Sequence, residues 1–186
     1  MRWTVHGERP VYQSAWVNLH LVDVEIPDGP RFEHHAVRMP FPAVGTVLHD
    51  PERGVLLLYR HRFIGDFWGW EIPAGRVEDG ESLADAARRE CVEEVGWAPG
   101  TLDHLVTYHY AGGLSDGRFA LFLGRDVVEV GPPTDVAEAE RIAWVPVADL
   151  RRLIADGEVA DGLSLSALLW VLAFDRLDGA PAIPGV

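Results

Sequence analysis

Three carboxylates, Glu90, Glu93 and Glu94, crowd the end of the stretch GRVEDGESLADAARRECVEEVGW, residues 75–97. Ser82-Leu83-Ala84-Asp85 resembles a capping box with Asp in place of the usual Glu, and Gly96 followed by Pro99 closes the segment, so the spacing predicts a helix starting near Leu83. At about 100° per residue, Leu83, Ala84, Ala87, Cys91 and Val95 form its apolar stripe, and the three glutamates occupy an adjacent wedge. Like charges one turn apart repel, and acids at the negative end of the helix dipole cost a few tenths of a kcal/mol each. A solvated helix face is the ordinary explanation of a charge run, but such faces interleave signs. A divalent cation removes both penalties, because hard oxygen ligands at one-turn spacing suit Mg²⁺ or Mn²⁺.

The chain that must position these acids has 186 residues, enough for one domain with a sizeable core, and no internal repeat divides it. Its formal net charge of −13 argues against a nucleic-acid or anionic-membrane surface. A small anionic ligand is compatible with it where arginines or metal ions receive the ligand. The single cysteine, Cys91, forms no internal disulfide and fits a reducing cytoplasm, packed within the helix. The N-terminal MRWTVHGERP lacks the apolar segment of a signal peptide. LSLSALLWVLAF (163–174) is short of the roughly 20 residues that span a bilayer, and is expected to be a buried C-terminal helix with Ser164 as its N-cap.

Residues 11–40 alternate around Pro27-Asp28-Gly29 as strands and a hairpin, and AVGTVL (43–48) and GVLLLYR (54–60) are strands joined at HDPERG. LDHLVTYHYA, RFALFLGRDV and RIAWVPV read as further strands, and ADLRRLIADG as a short amphipathic helix ended by Gly157. This order predicts an α+β domain of α-β-α layers on a mixed sheet. Residues 1–42 are expected to form an N-terminal β arm, and 43–186 the body of the domain.

The stretch resembles the box of the Nudix hydrolases. That box is Gly, five residues, Glu, seven residues, Arg-Glu, a bulky apolar residue, any residue, Glu-Glu, any residue, Gly and a bulky apolar residue. Here Gly75, Glu81, Arg89-Glu90, Glu93-Glu94 and Gly96 match at those spacings, with Cys91 and Trp97 as mild departures at the apolar positions. WEIPAG (70–75), LLLYRHR and EAERIAWVPVADLRRLIADGEVADGLS extend the resemblance over most of the chain, toward the ADP-ribose pyrophosphatase branch.

The resemblance implies Glu90 and Glu94 as metal ligands, Glu93 assisting, Arg89 orienting them, Glu81 holding the loop or binding metal, and the carbonyl of Ala74 or Gly75 as a further ligand. It implies Glu138 as general base and Glu140 as an additional ligand, with Asp116 of GGLSDGR as a rival base. Arg60, Arg62 and Arg76 are candidates for phosphate contacts, and Trp16, Phe67 or Trp68 for stacking a base or sugar, while Trp70 is expected in the core. The implied activity is Mg²⁺- or Mn²⁺-dependent hydrolysis of a nucleoside diphosphate linked to a sugar or other group, by a cytoplasmic homodimer. Where ADP-ribose enzymes usually carry a Ser-Pro-Gly-like segment, this chain has Ala111-Gly112-Gly113. The alternatives are a non-catalytic nucleotide-sugar sensor of the same fold, and a hydrolase of another nucleotide.

Overall fold

The computed structural model describes residues 1–135 and 138–178, arranged as two compact units. The first comprises Met1–Pro42 and Tyr108–Arg118. It holds a three-stranded antiparallel sheet of β1 (Thr4–Tyr12), β2 (Asn18–Glu25) and β3 (Arg31–Arg38), in that order. The expected hairpin is β2 and β3, turning where Asp28 takes a positive φ of 58°. The strand pattern expected from residue 11 begins earlier, at Thr4: β1 pairs with β2 over its full length and is exposed at every position.

The second unit comprises Ala43–Thr107 and Phe119–Val186, of which 136–137 and 179–186 lie outside the described residues. Its strands are β4 (Ala43–Asp50), β5 (Gly54–Arg62), β6 (Phe67–Glu71) and β7 (Ala74–Arg76). After the helix α1 (Leu83–Val95) come β8 (Trp97–Ala98), β9 (Thr101–His109), β10 (Arg118–Arg125), β11 (Val128–Glu129) and β12 (Arg141–Val145). The helices α2 (Val147–Ala155) and α3 (Gly162–Ala173) follow, then a single 3₁₀ turn at Arg176–Asp178. The main sheet runs β12-β5-β4-β10-β9, with β6 paired to β5 and β7 to β4. It is mixed: β10 lies parallel to β4, and β5 is antiparallel to both β4 and β12.

The alternation of β4 explains the layers. Val44 packs with Ala86 and Ala87 of α1, and Leu48 with Cys91 and Val95, so the even positions face α1. Gly45 faces the other way, where a Cβ would run into Leu163 of α3. The sheet is thus covered on both sides, which accounts for its unbroken apolar strands.

The helix α1 forms as its sequence requires. Ser82 Oγ accepts the Asp85 amide at 3.1 Å and donates to the Asp85 carboxylate at 2.6 Å. Its buried stripe differs in part from the expected one: Ala86 and Glu94 are buried with Ala87, Cys91 and Val95, while Leu83 and Ala84 are only partly covered. The N-cap of α3 is Asp161 in place of Ser164, because the aspartate accepts the Ser164 amide at 2.9 Å. Ser164 lies one turn in, buried, and its hydroxyl accepts the Ile72 amide.

Gly96 ends α1 in the left-handed region, φ 75°, where a Cβ would also meet the Gly131 carbonyl. Gly80 has a similar φ of 79° with open space around it. Gly96→Ala should therefore lower the unfolding free energy by clearly more than the roughly 1 kcal/mol of backbone strain that Gly80→Ala would cost. Urea midpoints of the two variants compare them, and equal losses would contradict the close approach.

Candidate functional site

The alternation that builds the core also builds the site. Leu56 and Leu58 of β5 face α1, and Arg60 and Arg62 continue that face as the strand reaches the acidic end of the helix. Arg60 is 5% exposed. Its Nε donates to Glu71 at 2.9 Å, and its Nη1 donates to Glu94 and to Glu138, both at 2.9 Å. Arg60 Nη2 is buried with no hydrogen-bond partner among the described residues. Arg62 donates through Nε to the same Glu71 at 2.8 Å.

Glu94 is 3% exposed, and its second oxygen accepts the Ala74 amide at 2.7 Å. Burial pushes its carboxyl up to about 7, against the pull of Arg60 and of that amide. Glu90 is raised in the same direction, again chiefly by burial, with Arg89 opposing. Gly75 is glycine for a visible reason, since a Cβ there would collide with the Glu90 carboxylate.

Arg89 gathers the outer acids. It donates from Nε and Nη2 to Glu81 at 3.0 Å each, and from Nη1 to Glu90 and Glu93 at 2.8 Å each. Its Nη2 also reaches the Arg76 carbonyl at 2.9 Å, which ties helix to loop. Hydrogen bonding by Arg89 holds the Glu81 carboxyl below its ordinary range.

The segment after β11 returns to this helix end. The amides of Thr134 and Asp135 donate to the Glu93 carbonyl at 2.9 and 3.1 Å, and the Glu140 amide donates to the Tyr59 carbonyl at 2.9 Å. The structure therefore gathers Arg60, Arg62, Ala74, Arg89, Glu90, Glu93, Glu94 and Glu138 through direct contacts. Glu140 adjoins them by its backbone, and its side chain is exposed. Arg76 is exposed on β7. Trp68, 49% exposed, stacks on Tyr59 with ring centres 5.5 Å apart, and Trp70 is buried. Trp16, 71% exposed, belongs to the first unit, as does Asp116, whose carboxylate accepts the Met39 amide at 2.9 Å and pairs with Arg38.

Sequence reasoning missed Glu71, which is 1% exposed and shared by Arg60 and Arg62. Its signal was the alternation of β5, which sets two arginines in line with buried leucines and so demands a buried acid beside them. Cys91 is fully buried and its thiol is pushed up to about 12 by desolvation, so it packs and does not react.

As these side chains stand, no group of three His, Cys, Asp or Glu among the described residues is arranged to hold a metal ion. Arg60 and Arg89 occupy the oxygens that a cation would take. The donors are nonetheless all hard carboxylate oxygens, half-buried or more at Glu90 and Glu94, and already neutralised by positive charge. That donor set fits a hard divalent cation.

The family model described as NUDIX domain matches residues 39–165. The chain belongs to the Nudix family. It is a Nudix-type pyrophosphohydrolase, similar to the ADP-ribose pyrophosphatase branch. It is 39% identical over 185 residues to a CMP-5'-(N-acetyl-N-hydroxy-3-aminopropyl)phosphonate hydrolase of Streptomyces rubellomurinus, covering 100% of this chain and 88% of that protein. It is 32% identical over 136 residues to an ADP-ribose pyrophosphatase of Mycobacterium tuberculosis, covering 72% of this chain and 66% of that protein. A solved structure titled as an ADP compounds hydrolase superposes with a TM-score of 0.85 over 96% of this chain and 97% of the other, at 22% identity, and so shares the fold. No helix among the described residues is long and apolar enough to cross a membrane.

The Glu94 carboxyl gives a pH test. Its folded pKa of about 7 exceeds the ordinary 4.5, so between those values the folded chain keeps a proton that the unfolded chain has released. Its contribution to stability is therefore greatest at low pH and falls as pH rises through this window, by roughly 3 kcal/mol in all at about 1.4 kcal/mol per tenfold. In chelator-treated protein, Glu94→Gln should lose markedly less unfolding free energy than the parent between about pH 5 and pH 8. Parallel pH curves would contradict the burial argument.

Proposed function

We propose that this Nudix hydrolase cleaves the P–O–P link between a nucleoside monophosphate and a second phosphoryl or phosphonyl group, releasing the nucleoside monophosphate and, for a nucleotide sugar, the sugar phosphate. The observation that carries this reading is the meeting of the box acid Glu94 and the loop acid Glu138 on one guanidinium, that of Arg60. It sets an acid from outside the helix beside the box acids, where a water attacking phosphorus needs a base. Support for the nucleotide part comes from the two relatives, one named for CMP joined to a phosphonate and the other for ADP-ribose.

Bound Mg²⁺ or Mn²⁺, held by Glu90 and Glu94 with Glu93 assisting, Glu140 contributing and the carbonyl of Ala74 as a further ligand, would neutralise phosphate charge and acidify a bound water. Glu138 serves as general base. Its side chain is 53% exposed, so it reaches solvent to take up and release the proton. Water adds its oxygen to one phosphorus, the bridging oxygen leaves with the other, and the proton passes to Glu138. Arg89 holds Glu90 and Glu93 in register through its three-acid grip. Arg62, beside Arg60 on β5, and Arg76, exposed on β7, are the arginines assigned to phosphate oxygens, and the exposed ring of Trp68 offers a stacking face. The net charge of −13 makes such local positive charge necessary, because the body of the protein repels a pyrophosphate.

ADP-ribose and a CMP-linked phosphonate, incubated with the protein and Mg²⁺ or Mn²⁺, distinguish the two substrate classes by mass spectrometry of the products. At least one should yield its nucleoside monophosphate, a chelator should abolish the reaction, and Glu90→Gln should lower kcat about a hundredfold or more without unfolding the protein. Failure to cleave any P–O–P compound in either metal would refute the reading.

We propose a second copy of the chain as partner, and the first unit is what favours it. Its β1 is an exposed edge strand carrying Val5, Val11 and Tyr12, each more than half exposed, and an open edge of this kind pairs readily. Sedimentation should give twice the chain mass, and Val11→Lys should shift it toward the monomer; a monomeric parent would contradict the assembly.

A further inference from the structure

Arg60 distributes its donors unevenly. Nη1 carries two carboxylates, those of Glu94 and Glu138, while Nη2 beside it is buried and carries none among the described residues. A buried donor left unfilled is costly, and each terminal guanidinium nitrogen carries two N–H groups, so Nη1 is saturated by its two acids while Nη2 beside it is not. Nη1 therefore bridges the two acids, and what separates them is how firmly each is held elsewhere.

The two acids differ in just this way. Glu94 is 3% exposed and is fixed a second time by the Ala74 amide. Glu138 is 53% exposed, and among the described residues its carboxylate is held by Arg60. Arg60 itself is anchored from behind, since its Nε is bonded to Glu71, which is 1% exposed and gripped from its other side by Arg62. A rigid base thus carries the fixed acid and the exposed one.

We infer that Arg60 is a positioning residue: it sets the Glu138 carboxylate against the box helix and so places the loop acid for the reaction. Its task is to orient a carboxylate, and phosphate binding falls to other groups. The inference rests on the reading of Glu138 as the acid that serves hydrolysis. The fold-level ties of the same segment are separate, being the amides of Thr134 and Asp135 on the Glu93 carbonyl. Those amides report whether the Arg60–Glu138 contact holds the segment down.

Hydrogen exchange on the full chain in chelator tests this without turnover. Glu138→Gln keeps the side-chain shape at an exposed position and removes the charge that Arg60 holds, so the fold should be intact. The amides of Thr134 and Asp135 should exchange about tenfold faster or more in Glu138→Gln and in Arg60→Met, with Arg60→Lys partly restoring protection. With metal and a cleavable substrate, Arg60→Met should lower kcat more than tenfold at a KM within about threefold of the parent, as expected of a misplaced base. Parental protection of Thr134 and Asp135 in Glu138→Gln would overturn the inference, whatever Arg60→Met does to the fold. A rise in KM at unchanged kcat in Arg60→Lys would overturn it too, by making Arg60 a substrate contact. Loosened amides in a protein that cleaves no P–O–P compound would leave the positioning contact standing and remove the proposed reaction; hydrolysis with unchanged amides would do the reverse.

Discussion

A carboxylate at 3% exposure cannot stand alone, and the site follows from how Glu94 is compensated. Arg60 supplies the charge and the Ala74 amide supplies a hydrogen bond, and each draws in further partners. Arg60 brings Glu71, which brings Arg62. On the solvent side of the same helix, Arg89 repeats the device more loosely with Glu81, Glu90 and Glu93. The acids that would repel one another on an isolated helix are thus divided between two guanidiniums, one buried and one partly exposed. Removing Arg60 would leave the buried Glu94 without its cationic partner, which is more damaging than the loss of the pair would suggest.

Backbone features make this compensation possible. The helix packs close enough to β7 for Glu90 to lie against Gly75, a contact that any side chain at 75 would prevent. Gly96 lets the chain leave the helix sharply and pass beneath the Gly131 carbonyl, so that the amides of Thr134 and Asp135 meet the Glu93 carbonyl. The two glycines of the box therefore bracket the acids, one giving room for a carboxylate and the other steering the following chain back to the helix end.

Much of this was legible in the sequence because it depends on local rules. The cap at Ser82, the stop at Gly96, the strands β4, β5, β9, β10 and β12 and the α-β-α layering follow from periodicity and turn chemistry, whereas the aromatic segment that forms β6 and the three-residue β7 carry no such pattern. The misjudged details come from tertiary context. Asp161 caps α3 in place of Ser164 because the chain enters the helix three residues earlier, freeing Ser164 to accept the Ile72 amide. Ala86 is buried and Leu83 only partly so, since which residues of α1 meet the sheet is set by packing that a helical wheel does not specify. The residues of the acidic helix were named from their spacing, but the role of Glu71 needed the pairing of β5 with β6, which sets it opposite Leu58 and diagonal to Arg60.

The alternation of β5 has a further meaning. Leu56, Leu58, Arg60 and Arg62 share one face of a single strand, so the transition from oily interior to charged centre takes place along a straight line with no loop in between. Such a centre inherits the stiffness of the sheet, and its charges are held by the same ladder of backbone bonds that aligns the leucines. The chemistry of the centre is then open to change by substitution at one side chain at a time, while a single inserted residue in β5 would turn both arginines to the opposite side of the sheet and dismantle it at once.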